Sequence, residues 1–172
     1  MLGHQDVLSH IQSRKKNFSL DRALYCDPGT YQADLEQIWY REWLFAVPAA
    51  ELPKPGNYAT LQIGAYPVVV IRGKDQRIRA FHNVCRHKAA LIARGEGCTD
   101  ALHCPYHGWR YGLDGTLRSA PKMAGVVDFD RHAMSLRPMA VEVWGPFVFV
   151  NPDPNPPALQ PQLSELDSRL DA

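Results

Sequence analysis

NVCRHKAALIARGEGCTDALHCPYHGW, residues Asn83 to Trp109, decides how this chain is read. Cys85 and His87 stand with one residue between them, and Cys104 and His107 with two; sixteen residues separate His87 from Cys104. Each pair supplies one thiol and one imidazole, both good ligands for zinc and for iron. Pro105 and Gly108 let the second segment turn tightly enough for backbone amides to point inward. Gly95 and Gly97 give the same freedom to the stretch between the pairs. Trp109 is placed to cover the site from one side, and as a residue type it serves equally well as a core aromatic.

Outside this stretch the chain has an ordinary globular composition. With 172 residues, 45% hydrophobic and 22% charged, it suits one domain with appendages. A net charge of +1 gives no electrostatic case for nucleic acid or an anionic membrane as partner. No apolar run approaches the ~20 residues that span a bilayer. The first twenty residues are polar and lack the apolar core of an export signal, so the expected address is the cytoplasm. There, cysteines point to metal rather than to disulfides. Cys26 and Cys98 belong to no short Cys/His motif and read as free thiols.

Residues 5–16 read as a short helix with Val7, Leu8 and Ile11 on one face. Asp27-Pro28 or Thr30 can cap a second, in which Tyr31, Leu35, Ile38, Trp39 and Trp43 form an amphipathic aromatic stripe. That stripe packs either on the domain's own core or on a surface outside this chain. After Pro48 the period changes. Residues 58–63, 67–72, 77–81, 138–143 and 147–150 read as strands, 102–104 and 110–111 as short ones beside the second Cys/His pair. Leu113-Asp114-Gly115-Thr116 is a tight turn. Many short strands with frequent turns predict a mainly β fold, an antiparallel sandwich with a metal-binding subdomain. The division expected is a helical arm over 1–47, the β domain over 48–151, and a stiff proline-rich linker with a short helix over 152–172.

Structural zinc sites pair like with like along the chain, C-x2-4-C and H-x3-5-H. Here each segment mixes one cysteine with one histidine. That mixture suits a two-iron cluster in which two cysteines hold the inner iron and two histidines the outer one. A structural zinc module remains the competing reading. Asn83-Val84-Cys85-Arg86-His87 and Cys104-Pro105-Tyr106-His107-Gly108-Trp109 resemble the two cluster loops of Rieske [2Fe-2S] domains. More narrowly, they resemble those of bacterial Rieske-type ring-hydroxylating and demethylating non-haem iron oxygenases. Glu42-Trp43, Pro55-Gly56-Asn57-Tyr58, Pro67 to Val70 and Tyr111 to Pro121 extend the likeness over roughly Tyr25 to Pro152.

The resemblance implies that Cys85, His87, Cys104 and His107 bind the cluster, with Trp109 against it. It implies one-electron transfer rather than catalysis by these residues, either within an oxygenase subunit or, alternatively, as a free-standing ferredoxin. Electrons would come from a reductase or ferredoxin. They would pass to an oxygenase catalytic domain, that of a neighbouring subunit, and a homo-oligomer fits the same picture. The mononuclear Fe(II) of such oxygenases belongs to a C-terminal domain, and this chain is expected to stop short of it. In respiratory-type Rieske proteins each loop carries a further cysteine, and a serine follows His-Gly. Here Ala90, Tyr106 and Trp109 stand at those places. No bridge between the loops is implied. Fewer donors to the cluster sulfurs place the potential near the lower end of a range of roughly −150 to +300 mV. Arg86, Lys88, Arg94 and Arg110 lie in or beside the loops, where they either steer an acidic electron donor or simply face solvent. His82 and His87 have a spacing that superficially suits a second iron, but His87 already belongs to the first site. His103 precedes Cys104 and is expected to point to the opposite face of a strand, and His4, His10 and His132 have no ligand partners nearby in sequence.

Overall fold

The computed structural model describes residues 2–170, and for His4 and residues 167–170 the backbone alone. The chain divides into two compact units, one up to Glu42 and one from Trp43. The first is helical: α1 His4–Gln12, α2 Ala23–Cys26 and α3 Pro28–Asp34, which runs on into a π-helical turn, Leu35–Trp39. Asp27 sets the start of α3. Its carboxylate accepts from the amides of Gly29 and Leu2, both at 2.7 Å, and Pro28 occupies the first turn, where a missing N–H costs nothing. α1 stops at Gln12, short of the expected residue 16. The Ser13 hydroxyl turns back onto the His10 carbonyl, and Arg14, Lys15 and Lys16 offer no apolar group to bury. Of the aromatic stripe only Leu35 is buried; Tyr31, Ile38 and Trp39 are about half exposed or more, and Trp43 lies beyond the helix.

The second unit is built on an antiparallel half-barrel sheet. Its strands are β1 Leu44–Pro48, β2 Asn57–Ile63, β3 Tyr66–Arg72, β4 Ile78–His82, β5 Glu96–Cys98, β9 Pro138–Trp144 and β10 Phe147–Asn151, in the order β1-β10-β9-β4-β3-β2-β5. β3 is the clearest case of sequence dictating place. Val68, Val69, Val70 and Ile71 are fully buried, as a run of β-branched residues requires when a strand is covered on both faces. β4 and β9 lie side by side, and between them the chain makes one long excursion. It returns as β5 beside β2, then builds a separate three-stranded sheet from β6 Leu102–His103, β7 Arg110–Tyr111 and β8 Leu117–Ser119. The excursion is tied back where His82 N donates to Arg137 O and Leu136 N to Gly115 O.

Two boundaries differ from expectation. The helical period breaks at Tyr40, and Leu44-Phe45-Ala46-Val47 pairs with β10 across a bulge, so residues assigned to the arm enter the sheet. The proline-rich segment folds back instead of extending. Asn151 and Asp153 accept from the amides two residues on, Pro157 O accepts from Trp43 Nε1 at 2.7 Å, and Leu159 is 3% exposed, its amide facing the Glu142 carboxylate. Proline lacks a donor but keeps its carbonyl, and that carbonyl anchors the segment. α4, Gln160–Leu170, follows.

Candidate metal centre

The two Cys/His loops close in the same way. In each, the cysteine amide donates to the carbonyl five residues on: Cys85 to Ala90 and Cys104 to Trp109, both 2.8 Å. The cysteine carbonyl accepts from the amide four residues on: Ala89 at 3.0 Å and Gly108 at 3.1 Å. That fourth residue is left-handed in both loops, φ 54° at Ala89 and 71° at Gly108. Glycine adopts this freely; alanine holds it at a cost of about 1 kcal/mol. The first loop hangs from the end of β4 and the second joins β6 to β7. Buried Asn83 fastens the first, its side chain donating to Ala93 O (2.8 Å) and accepting from Ala93 N (2.9 Å).

These frames carry the cysteines inward and the histidines outward. Cys85 and Cys104 are 2% and 3% exposed and belong to the main core with Phe81, Trp109, Tyr111 and Leu136. His87 is half-buried and His107 exposed, and their rings meet edge to face at 4.7 Å. Trp109 stacks on His87 at 4.8 Å and 6°, and is itself 1% exposed, so it is both cover and core. Tyr106 lies 3.8 Å from the His107 ring. The fully buried Tyr111 hydroxyl sits 3.3 Å from Cys85 Sγ and accepts from the Arg86 amide at 3.0 Å.

The electrostatics match this layering. Burial pushes the Cys85 thiol up, and the neighbouring Cys104 thiol adds to the rise against the pull of Tyr111 and the His87 amide. A thiolate in this place therefore calls for a cation beside it. Burial, then His107 and Lys88, hold His87 below the ordinary imidazole value, which leaves it neutral with a free lone pair at pH 7. His87 Nδ1 is buried and has no hydrogen-bond partner. Such an atom costs about 1–3 kcal/mol unless something binds it. Among the described residues no three His, Cys, Asp or Glu side chains surround a single point. The four candidates form two like pairs, thiol beside thiol and imidazole beside imidazole. The donor set and the orphaned nitrogen fit a two-iron cluster.

Residues 42–130 match the family model described as Rieske [2Fe-2S] domain. This chain belongs to that family. Over 162 residues it is 41% identical to the glycine betaine monooxygenase oxygenase subunit of Pseudomonas aeruginosa, covering 94% of this chain and 38% of that one. A solved quaternary ammonium Rieske monooxygenase, described for carnitine oxidation, superposes with a TM-score of 0.82 at 34% identity, covering 87% of this chain and 41% of that one. Naphthalene 1,2-dioxygenase superposes at 0.80 with 30% identity, covering 89% and 35%. The Rieske domain here is thus of the kind found in Rieske oxygenases, and its cofactor is a [2Fe-2S] cluster. The chain spans about two fifths of the length of the first curated relative.

The other residues marked in the sequence disperse. Arg86 and Lys88 line a cavity beside His87, Arg94 lies on another face, and Arg110 pairs with Asp100 at 3.6 Å. His103 and His132 are exposed, His10 lies 3.9 Å from Asp21, and the His4 side chain is outside the described residues. Cys26 and Cys98 are exposed free thiols. Sequence reasoning misses Tyr111 as a hydrogen-bond partner of Cys85. The available signal is its position two residues after Trp109, where an extended chain turns both side chains to the same side; both are buried.

Proposed function

We propose that Cys85 and Cys104 hold one iron of the cluster and His87 and His107 the other, and that the domain passes single electrons within an oxygenase subunit. One observation carries this: two thiols sunk together in the core, and two imidazoles in edge contact at the surface above them. When bound, the cluster supplies a one-electron couple. The chain's own residues do the rest. The core around Cys85 and Cys104 excludes water, Trp109 fixes the plane of His87, and the remaining ring nitrogens of His87 and His107 can bond a carboxylate on a docked partner. The donor in this reading is a reductase or ferredoxin, the acceptor a mononuclear-iron catalytic domain, and the compartment the cytoplasm, where free thiols persist. The likeness to glycine betaine and quaternary ammonium monooxygenases favours a quaternary ammonium substrate over an aromatic hydrocarbon.

Anaerobic loading with iron and sulfide followed by reduction tests the ligand set. The native chain is expected to show a Rieske EPR signal. Cys85→Ser and His107→Ala lose it, while Cys98→Ser and His103→Ala keep it. A full signal in His107→Ala, or zinc in place of iron in the native chain, overturns the assignment. For the substrate, oxygen uptake by a full-length subunit is compared with glycine betaine and with naphthalene; a response to naphthalene alone refutes the choice.

A further inference from the structure

We infer that the β3–β4 and β7–β8 turns are two copies of one ionic clasp, which together fasten the small sheet to the half-barrel and make the hold on the second Cys/His loop sensitive to salt. The copies show first in sequence. Gly73-Lys74-Asp75-Gln76-Arg77-Ile78-Arg79 and Gly112-Leu113-Asp114-Gly115-Thr116-Leu117-Arg118 share the pattern Gly-x-Asp-x-x-x-Arg. They also fold alike. In each, the glycine amide donates to the carbonyl four residues on at 2.8 Å, Gly73 to Arg77 and Gly112 to Thr116. The residue three after the glycine is left-handed, φ 65° at Gln76 and 80° at Gly115, and its amide returns to the glycine carbonyl, at 3.0 Å and 2.9 Å. The aspartate accepts from the amide two residues on, at 3.3 Å and 3.1 Å. Its carboxylate then meets the arginine four residues on, Arg79 at Asp75 and Arg118 at Asp114, both 2.7 Å. A Cβ on either glycine would collide with that carboxylate and that guanidinium, so the bare glycine is what lets the pair lie over the turn.

The two clasps face one cavity, about 570 Å³, whose wall takes Asp75 and Arg79 from one turn and Asp114 and Arg118 from the other. Lys74, Asp100 and Arg110 complete its charges, Asp100 and Arg110 pairing at 3.6 Å. Arg79 joins the two turns. Its bond to Asp75 holds the guanidinium above its ordinary value, and Asp114 adds to the rise from across the gap. Beneath the charges, Phe81 follows Arg79 by two residues and so shares its face of β4. The Phe81 ring lies so close to Gly115 that a Cβ there would collide with it. One face of β4 thus meets the β7–β8 turn with a ring and with a charge. β7 has only two residues, with the second Cys/His loop at one end and this turn at the other, so what holds the turn holds the loop. Exposed ion pairs contribute little when two free side chains must be ordered to make them. Here each turn has already ordered its carboxylate through a backbone amide. What the charges add is screened by salt, and the backbone bonds are not.

Hydrogen exchange of the native chain at low and at high salt, read by mass spectrometry, tests this. Amides of residues 106–119 are expected to exchange about threefold faster at high salt, while those of β2 and β3 change little. Arg79→Gln and Asp114→Asn are each expected to reach about that threefold rate already at low salt, and Arg79→Lys to stay near native. The double variant Arg79→Gln/Asp114→Asn falls well short of the roughly ninefold that independent effects would multiply to, because both changes remove the one link between the turns. Arg77→Gln, which removes an exposed charge from the same turn outside the clasp, leaves the rate as it is. Equal exchange at both salts, a full ninefold in the double variant, or equal acceleration by Arg77→Gln overturns the clasp. Acceleration spread evenly over β2, β3 and residues 106–119 overturns its role as the fastening of the small sheet. Should a substitution disturb folding, the salt comparison on the native chain decides alone.

Discussion

Tyr111 is placed to tune a site whose proposed ligands lie on the two loops. Its hydroxyl, 3.3 Å from Cys85 Sγ, takes the Arg86 amide as donor, which leaves its own proton for the sulfur. Burial raises the phenol far above its ordinary value, and the Cys85 contact adds to the rise, so that proton stays in place. A donor to a thiolate stabilises the more negative, reduced cluster. If the bond contributes about 1 kcal/mol, a one-electron couple shifts by roughly 40 mV. Tyr111→Phe is expected to lower the midpoint potential by about that amount and to keep the EPR signal; an unchanged potential in a redox titration removes Tyr111 from the tuning. The ligand candidates are legible in sequence because ligation demands the residue types themselves at short spacing. Tyr111 and Arg137 are not, because each matters only through a meeting across the fold. Tyr111 lies 26 residues from Cys85, and Arg137 reaches the first loop from the far end of the excursion.

At the level of elements, the two loops are one frame used twice, with glycine at the left-handed place in one and alanine in the other. Gly108→Ala is therefore expected to cost about 1–2 kcal/mol and still fold, since its Cβ would meet nothing closer than Pro121 Cγ at 3.9 Å. Ala89→Gly relieves a similar strain but adds comparable chain entropy to the unfolded state, so its stability changes by less than about 0.5 kcal/mol. Urea unfolding of both variants checks the pair; equal losses refute the shared frame. The hairpin turns make a separate prediction. Hydrogen bonds from Arg79 hold the Asp75 carboxyl well below the usual range. At Asp114 burial pushes the other way, but the Thr116 hydroxyl and amide, with Arg118, outweigh it. Both pKa values are depressed in the folded state. Their stabilisation is thus complete above the unfolded value of about 4 and fades as pH falls through the folded values. The Tm of the native chain should exceed that of Asp75→Asn/Asp114→Asn at pH 6, and the gap should close toward pH 2; parallel curves contradict this. The long strands are legible from their β-branched runs. β5 and β8 have three residues each and are held by pairing with β2 and β7, which no local pattern announces.

For the molecule as a whole, the proposed cluster site is where two sheets share one core. Val69, Ile71 and Phe81 come from the large sheet, Leu102, Tyr111 and Leu117 from the small one, and Cys85 and Cys104 lie among them. The sequence makes the mainly β fold and the four ligand candidates readable. It does not reveal that the proline-rich segment folds back, because Pro157 O and Trp43 Nε1 are 114 residues apart. The shared core also says what iron contributes to stability. Three of the large sheet's pairings, β2 with β3, β3 with β4 and β9 with β10, use no residue of either loop, so that sheet can stand when the loops lose their ligand. The small sheet has strands of two or three residues and leans on the loops for closure. With the proposed ligand set, removing iron would leave Cys85 a protonated thiol in the core and His87 Nδ1 without a partner, and both penalties would fall inside the excursion. Hydrogen exchange followed by mass spectrometry, on iron-loaded and iron-free protein, should therefore divide the chain. Amides of residues 84–93 and 102–119 are expected to exchange at least tenfold faster without iron, while those of β2, β3, β9 and β10 change little. Uniform acceleration across both sheets would mean instead that the cluster and the half-barrel fold as one cooperative body, with the metal holding the whole domain rather than its excursion.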